Sequence, residues 1–171
     1  PVWPPVRADA PTVMLFSAHP DDEILSMGPL AILFVRAGWR VINVAMTLGK
    51  PAQHERRLRE LQGACAFMGH ELVVLDGDDG GSARAGIQTG RDSDAIKTLI
   101  ETERPQVVLV HHGKDWHPAH MLTNVIVLAV LDRMRWTGFI FESEYWRQMK
   151  EPNLMLEVTI PDFAVLLEAL S

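Results

Sequence analysis

The sequence predicts an α/β fold of the Rossmann-like type, a three-layer sandwich with a mostly parallel sheet. Short runs rich in β-branched residues alternate with longer segments of helical periodicity, as in successive strand–helix units. The runs at 13–18, 41–47 and 107–111 are apolar with little alternation, which is typical of strands covered by helices on both faces. The chain has 171 residues, of which 47% are hydrophobic. This is enough to build one core, so we expect a single domain over 1–171.

The elements predicted for the first half follow an extended arm. Residues 1–11 are rich in proline and lack the apolar core of a secretory signal, so we expect a surface arm. A strand at 12–18 leads into a helical segment that ends at Ala37, with a break at Gly28. Further along come a strand at 40–47, a helix at 53–68 and a strand at 71–76.

The second half is predicted to open with a glycine-rich acidic loop at 76–90. The segment DGDDGG at 76–81 does not have the spacing of a helix-loop-helix calcium site, so we expect a loop near the pocket. The remaining elements are a helix at 92–103, a strand at 106–112, a helix at 119–135, strands at 138–145 and 154–160, and a terminal helix from Asp162.

Charge and composition exclude several classes of partner. The formal net charge of −6 disfavours binding to nucleic acid or to anionic membranes. The apolar run at 125–131 is far shorter than the roughly 20 residues of a membrane helix. Cys65 is the only cysteine, so no internal disulfide can form, and we expect a reducing, cytoplasmic location. A homo-oligomer is compatible with the sequence.

The segment SAHPDDEIL at 17–25 places three consecutive acids after the first predicted strand. Adjacent carboxylates repel one another, so a helix start or a bound cation has to compensate. A dinucleotide site is disfavoured because these acids stand where glycines would cradle a pyrophosphate.

A second polar segment, HHGKDWHPAH at 111–120, follows the fourth predicted strand. Ligands bind at the carboxyl ends of strands in such sheets, so both segments are expected at one site. His19, Asp22 and His120 have the ligand types that zinc prefers, and three protein ligands leave a position open for catalysis. Asp21 is then a non-ligand carboxylate that can accept a proton.

Structural roles remain as alternatives for several of these side chains. Asp21 and Asp22 can simply open a helix. We expect structural hydrogen bonds from at least one of His111 and His112. We also expect His54 and His70 to be surface or helix-end histidines. Trp116 and Tyr145 are candidate aromatic contacts for a sugar ring, with packing as the alternative.

The motifs AHPDDE and D-x-H-P-x-H resemble those of the zinc-dependent N-acetylglucosaminyl deacetylases, the PIG-L or LmbE-like family. Thr47 and Gly49 of a T-x-G motif, and Arg57 and Glu60 of an R-x-x-E motif, support the resemblance. The resemblance covers most of the chain.

The resemblance implies a role for each matching residue. It implies that His19, Asp22 and His120 bind Zn²⁺, with Fe²⁺ as the competing metal. It further implies that Asp21 is the general base, that His117 stabilises the oxyanion, and that Arg57 reaches the substrate or acetate.

The sequence departs from the family pattern in two places. Many members have an acid where Ala119 stands, and that acid orients the first histidine of the motif; Asp115 is the candidate to replace it. Family members also commonly continue well beyond Ser171.

The implied activity is removal of acetyl from a small N-acetylglucosamine-type conjugate, giving acetate and a free amine. One alternative is an amidase that acts on a larger sugar-thiol or another N-acyl conjugate. Another is a metal- or sugar-binding module without turnover, because fold alone does not fix chemistry.

Overall fold

The computed structural model describes residues 1–75 and 89–171 and shows a sheet with helices on both faces. The strands are β1 (Thr12–Ser17), β2 (Arg40–Ala45), β3 (His70–Val74), β4 (Val107–His111) and β5 (Phe139–Ser143). The helices are α1 (Asp22–Leu25), α2 (Gly28–Arg36), α3 (His54–Met68), α4 (Thr89–Glu103), α5 (Pro118–Arg133) and α6 (Ile160–Ala169). The acidic stretch at 76–81 lies outside the described residues.

The five strands form one parallel sheet in the order β3-β2-β1-β4-β5. β1 lies at the centre, with β2 on one side and β4 on the other. Strand order therefore reverses between β1 and β4, and a crevice is expected outside their carboxyl ends. The predicted Rossmann-like parallel sheet is confirmed.

The two faces of β1 belong to different parts of the core. Met14 and Phe16 pack in a cluster with side chains of α4 and α5. Val13 and Leu15 pack in another cluster with side chains of α2. Both faces of β1 are buried, which explains why its sequence is apolar without alternation.

The helical segment after β1 is interrupted before Gly28, as predicted. Gly28 and Pro29 open α2, and Pro is favoured there because its nitrogen needs no hydrogen bond. A Cβ atom on Gly28 would lie 2.6 Å from Cδ2 of Leu166 in α6. Glycine at this position therefore lets the terminal helix pack closely against α2.

The prediction of a strand at 154–160 is wrong. Residues 154–159 form no regular secondary structure, and α6 begins at Ile160. β5 is the last strand of the sheet on this side, so the segment has no neighbouring strand to supply backbone hydrogen bonds. Its apolar side chains stay exposed, including Met155 at 86%.

The N-terminal arm is extended, and it is anchored by one aromatic side chain. Nε1 of Trp3 donates a hydrogen bond to the backbone oxygen of Phe67 at 2.7 Å. The indole also lies against Gly69, which ends α3 with a φ of 73°. Among the described helices, none combines the length and apolarity that crossing a membrane requires.

Candidate active site

Two loops at the carboxyl ends of neighbouring strands build the site. The first runs from β1 to α1 and carries His19, Asp21 and Asp22. The second runs from β4 into the first turn of α5 and carries His117 and His120. Because β1 and β4 pair in parallel, their ends meet at one edge of the sheet, so segments about 100 residues apart in sequence come together.

Asp22 is the centre of the cluster and is 1% exposed. Its Oδ2 accepts the backbone N–H of His19 at 2.8 Å and lies 3.5 Å from Nδ1 of the same residue. Its Oδ1 lies 3.4 Å from Nε2 of His120. Adjacent ligand atoms on a tetrahedral zinc are about 3.4 Å apart, given bonds of about 2.0–2.2 Å. Each of these two histidines thus lies at a suitable spacing from Asp22, and the two contacts are made to different oxygens of its carboxyl group.

The carboxyl group of Asp22 is ionised although it is buried. Burial opposes ionisation, but contacts with His111, His120 and His19 hold the pKa of Asp22 well below its usual value. Burial also opposes a charge on His120, and its contacts with Asp22 and Asp115 outweigh this and raise its pKa. A buried carboxylate among imidazole groups is the donor set that zinc or ferrous iron takes.

The histidine rings around Asp22 differ in orientation. The rings of His19 and His120 are tilted, with centroids 5.5 Å apart, and the centroids of His117 and His120 are 4.8 Å apart. Two imidazoles on one tetrahedral ion have centroids about 5 Å apart. Two groups of three residues can each bring one ligand atom per residue within 4.8 Å of the others. The first group is His19, His117 and His120, and the second is Asp22, His111 and His120. His120 belongs to both groups. The three predicted ligands are therefore divided between the two groups.

His111 is a site residue that the sequence did not single out as such. Its ring stacks face to face on His120, with centroids 3.7 Å apart and an interplanar angle of 9°. Parallel rings at this spacing cannot both direct a nitrogen at one ion. Nε2 of His111 lies 3.2 Å from Oδ2 of Asp22, and Nδ1 contacts the hydroxyl of Ser26 at 3.3 Å.

We therefore assign His111 to the support of Asp22 and His120. The expected structural hydrogen bonds are present, because Nε2 of His112 also donates to the backbone oxygen of Arg147 at 2.8 Å. The sequence signal for His111 was its position as the last residue of the strand beside β1.

Asp21 lies beside the cluster and has an unusual backbone conformation, with φ 109° and ψ −26°. Its backbone carbonyl oxygen accepts hydrogen bonds from the backbone N–H groups of Ile24 and Leu25 at 3.0 and 2.9 Å. Partial burial and repulsion from Asp22 raise the pKa of Asp21, against the opposing effect of Arg57. A raised pKa suits a carboxylate that accepts and returns a proton near neutral pH.

Asp115 does not make the contact with the His117 ring that the sequence led us to expect. Its Oδ1 accepts the backbone N–H of His117 at 2.7 Å, and its Oδ2 accepts the backbone N–H of Trp146 at 3.0 Å. Its nearest contact with an imidazole is to Nδ1 of His120, at 3.4 Å. Burial opposes ionisation of Asp115, but the two backbone N–H groups lower its pKa.

Among the described residues, no carboxyl group forms an ion pair with the His117 ring. Its Nδ1 is buried and has no hydrogen-bond partner within the described ranges, 1–75 and 89–171. Burial, together with nearby His19 and His120, lowers the pKa of His117 and favours the neutral ring. Ala119, the position at which the resemblance implied an acid, is buried in the core cluster with α4 and α5 side chains. An apolar side chain suits that environment.

The structure places the predicted substrate-binding residues at different distances from the cluster. The ring of Tyr145 lies 5.7 Å from that of His120. Arg57 on α3 packs over Gly49 and acts electrostatically on Asp21. Trp116 is 70% exposed, so this side chain is available to a ligand and is not packed in the core.

A cavity of about 620 Å³ adjoins Asp21 and is lined by side chains of α1, α3 and α6, including Arg57 and Phe67. The loop before α3 is held by His54, whose Nε2 donates to the backbone oxygen of Gly49 at 2.7 Å. The hydroxyl oxygen of Thr47 accepts the N–H of Gly49 at 2.9 Å. Gly49 of the T-x-G motif thus lies against the guanidinium group of Arg57.

The chain is similar to known proteins in both sequence and fold. The family model of PIG-L, GlcNAc-PI de-N-acetylase, matches residues 14–131. The 1D-myo-inositol 2-acetamido-2-deoxy-alpha-D-glucopyranoside deacetylase 3 of Catenulispora acidiphila is 28% identical over 168 residues, covering 77% of this chain and 47% of that protein. The chain spans about half the length of such curated relatives, between 47% and 60%.

Two solved structures share the fold. The N,N'-diacetylchitobiose deacetylase from Pyrococcus horikoshii superposes with a TM-score of 0.78 at 19% identity, covering 95% of this chain and 69% of that one. The 4-carboxy-2-hydroxymuconate hydratase of Pseudomonas putida has a TM-score of 0.61 at 18% identity, covering 70% and 55%. These likenesses show the fold, and the second shows that proteins named for different reactions share it.

Proposed function

Because the chain belongs to the PIG-L family, we propose that it is a metal-dependent hydrolase that removes the acetyl group from a small N-acetylglucosamine-type conjugate. The observation that carries the proposal is the arrangement of the two adjacent aspartates. Asp22 is ionised among imidazole groups, whereas Asp21 has a raised pKa beside them. One carboxylate can therefore hold a cation while the other accepts a proton.

His19, Asp22 and His120 would hold the metal, for which we propose zinc, with ferrous iron as the competitor. Zinc held by these residues would supply Lewis acidity toward the acetyl carbonyl and would lower the pKa of a water molecule to about 7. His111 stacks beneath His120 and keeps that ring in place.

Asp21 accepts a proton from the attacking water molecule as the water oxygen forms a bond to the acetyl carbon. A neutral His117 has one ring N–H, which donates to the carbonyl oxygen as negative charge develops there. The protonated carboxyl of Asp21 then gives its proton to the departing nitrogen as the C–N bond breaks. Acetate and a free amine leave the site.

Arg57 and Tyr145 would bind the substrate. The guanidinium of Arg57 can bind a carboxylate such as acetate, and the ring of Tyr145 can pack against a sugar face. The cavity beside Asp21 has room for a group attached to the sugar. The same room would admit the substrate of the second candidate, an amidase that acts on a larger sugar-thiol or another N-acyl conjugate.

The test combines metal analysis with acetate release. Protein purified without chelator should contain about one zinc or iron per chain and release acetate from at least one member of a panel of N-acetyl sugars. Release of a larger acid from other N-acyl conjugates, with little acetate, would favour the second candidate. Metal binding without release of any acid would support a binding module without turnover.

Variants of the ligands test the metal assignment. His19→Ala, Asp22→Ala and His120→Ala should each lose most of the metal. His112→Asn is the matched control, because His112 is buried on the same loop but directs Nε2 at the backbone of Arg147. Full metal content in all three ligand variants would refute the assignment.

A further inference from the structure

The backbone of Asp21 lies outside the conformations that side-chain-bearing residues commonly adopt. Among the described residues other than glycine, the positive φ angles are those of Asp21 at 109°, Arg104 at 47° and Arg135 at 51°. The two arginines lie near the left-handed helical region, where φ is about 50–70°. Asp21 lies well beyond it, so its conformation is strained and needs contacts that hold it.

The two backbone groups of Asp21 are held from different directions. Its carbonyl oxygen accepts the N–H groups of Ile24 and Leu25, and these bonds continue into α1. Its N–H group donates to Oε2 of Glu23 at 3.0 Å. The angle φ is the rotation about the N–Cα bond, so the contact made by the N–H group opposes relaxation of φ.

Glu23 is buried at the turn, where its side chain can make this contact. Its side chain belongs to the first turn of α1 and is only 1% exposed. Asp22, the residue before Glu23, makes a similar contact. Its Oδ2 accepts the backbone N–H of His19 at 2.8 Å. Two successive carboxyl groups therefore each fix one backbone N–H of the turn between β1 and α1.

We propose that Glu23 is a positioning residue that fixes the carboxyl group of Asp21 relative to His19 and Asp22. The inference rests on the proposed function, in which Asp21 accepts the proton of the attacking water. A change of φ moves the Cβ atom of Asp21 relative to the preceding peptide. A misplacement of about 1 Å at a reacting group costs on the order of 10²-fold in rate.

The test compares two variants of similar size. Glu23→Gln keeps an oxygen that can accept the N–H of Asp21, and Glu23→Met removes it while filling the buried space. We expect Glu23→Met to keep its metal and KM and to lose kcat by about 10- to 100-fold. Glu23→Gln should restore most of that loss. Glu23→Ala is the second variant if the Met variant does not fold.

A crystal structure of the Met variant supplies a readout that needs no activity. We expect φ of Asp21 to leave the region near 109° and to become negative. An unchanged φ, or equal losses of kcat in the Gln and Met variants, would overturn the inference. If the wild-type protein hydrolyses no N-acyl substrate, the proposed function fails, and φ of Asp21 in the variant still decides whether Glu23 positions it.

Discussion

Asp21 and Asp22 are neighbours in sequence, yet the structure gives their carboxyl groups opposite electrostatic surroundings. Asp22 is surrounded by histidines, which keep it ionised despite its burial. Asp21 is partly buried beside the Asp22 charge, which makes its own ionisation less favourable. The backbone turn between them, with Asp21 at φ 109°, directs the two side chains differently. A single turn can therefore provide both a metal ligand and a proton acceptor.

Asp21→Asn should keep the metal and lose most of the turnover, because a neutral amide cannot accept the proton of the attacking water. We expect kcat to fall by about 10²–10⁴-fold. Metal content and kcat, measured on the same preparation at saturating metal, check this. A rate close to that of the wild type would reduce Asp21 to a residue that opens α1.

His117→Ala should also keep the metal, since the proposed ligands are His19, Asp22 and His120. Loss of one hydrogen-bond donor to the developing oxyanion is expected to lower kcat by about 10²–10³-fold. Phe at the same position is the matched variant, because it keeps an aromatic ring without the N–H. Retention of the rate in His117→Phe would exclude the donor role.

At the scale of elements, the carboxyl group of Asp115 is one of the groups that fasten the loop between β4 and α5 to the segment after β5. Asp115 accepts one backbone N–H from each side, from His117 and from Trp146. The same group lies beside Nδ1 of His120. The loop that presents two site histidines is therefore held by Asp115.

Asp115→Ala should destabilise the fold by about 2–4 kcal/mol, because two partly buried backbone N–H groups lose a charged acceptor. Metal affinity should fall as well, since His120 loses a neighbouring carboxylate. The basic limb of the pH–rate profile should not move, because the proposed mechanism uses His117 as a neutral ring and burial is the main cause that lowers its pKa. Urea unfolding and the pH dependence of kcat/KM measure these effects. A basic limb displaced to lower pH would instead show that Asp115 sustains a charge on His117.

The start of β3 contains a histidine that makes stability depend on pH. His70 follows the end of α3, as expected, but it is buried, and both of its ring nitrogens lack a hydrogen-bond partner within the described part of the chain. Burial lowers its pKa from 6.5 to about 4. Between these values the unfolded chain binds the additional proton, so stability falls as the pH decreases through this window.

His70→Leu should remove this dependence. The wild type is expected to lose up to about 3 kcal/mol of stability between pH 7 and pH 4 through His70, and the variant should not. Urea unfolding of both proteins with excess chelator checks the prediction, because release of metal at low pH would otherwise have the same sign. Parallel losses in the two proteins would assign the pH dependence to other groups.

For the whole molecule, the site joins the two halves of the sheet at the point where strand order reverses. His19 and Asp22 follow β1, and His120 follows β4, so an ion held by all three links segments that are distant in sequence. A ligand that binds only the folded state stabilises it, by about 2.7 kcal/mol at a hundredfold excess over Kd. Metal binding and folding are therefore expected to be coupled.

Removal of the metal with a chelator should lower Tm by roughly 5–10 °C, the shift expected for that free energy in a chain of this size. Addition of zinc should restore it. His120→Ala is the control, because its Tm should respond little to either treatment. An equal response in the variant would place the stabilising metal elsewhere.

The sequence by itself determined the sheet and the residues that meet at its edge. Strands without alternation require cover on both faces, and parallel strands end at a common edge, so the two polar segments had to converge. Tertiary structure alone decided the partner of Asp115, the stacking of His111 on His120, and the contact between Glu23 and Asp21. It also decided that the apolar segment at 154–159 forms no strand. These features depend on distances between segments that are remote in sequence, on backbone angles, and on whether a neighbouring strand is available, and local residue patterns encode none of them.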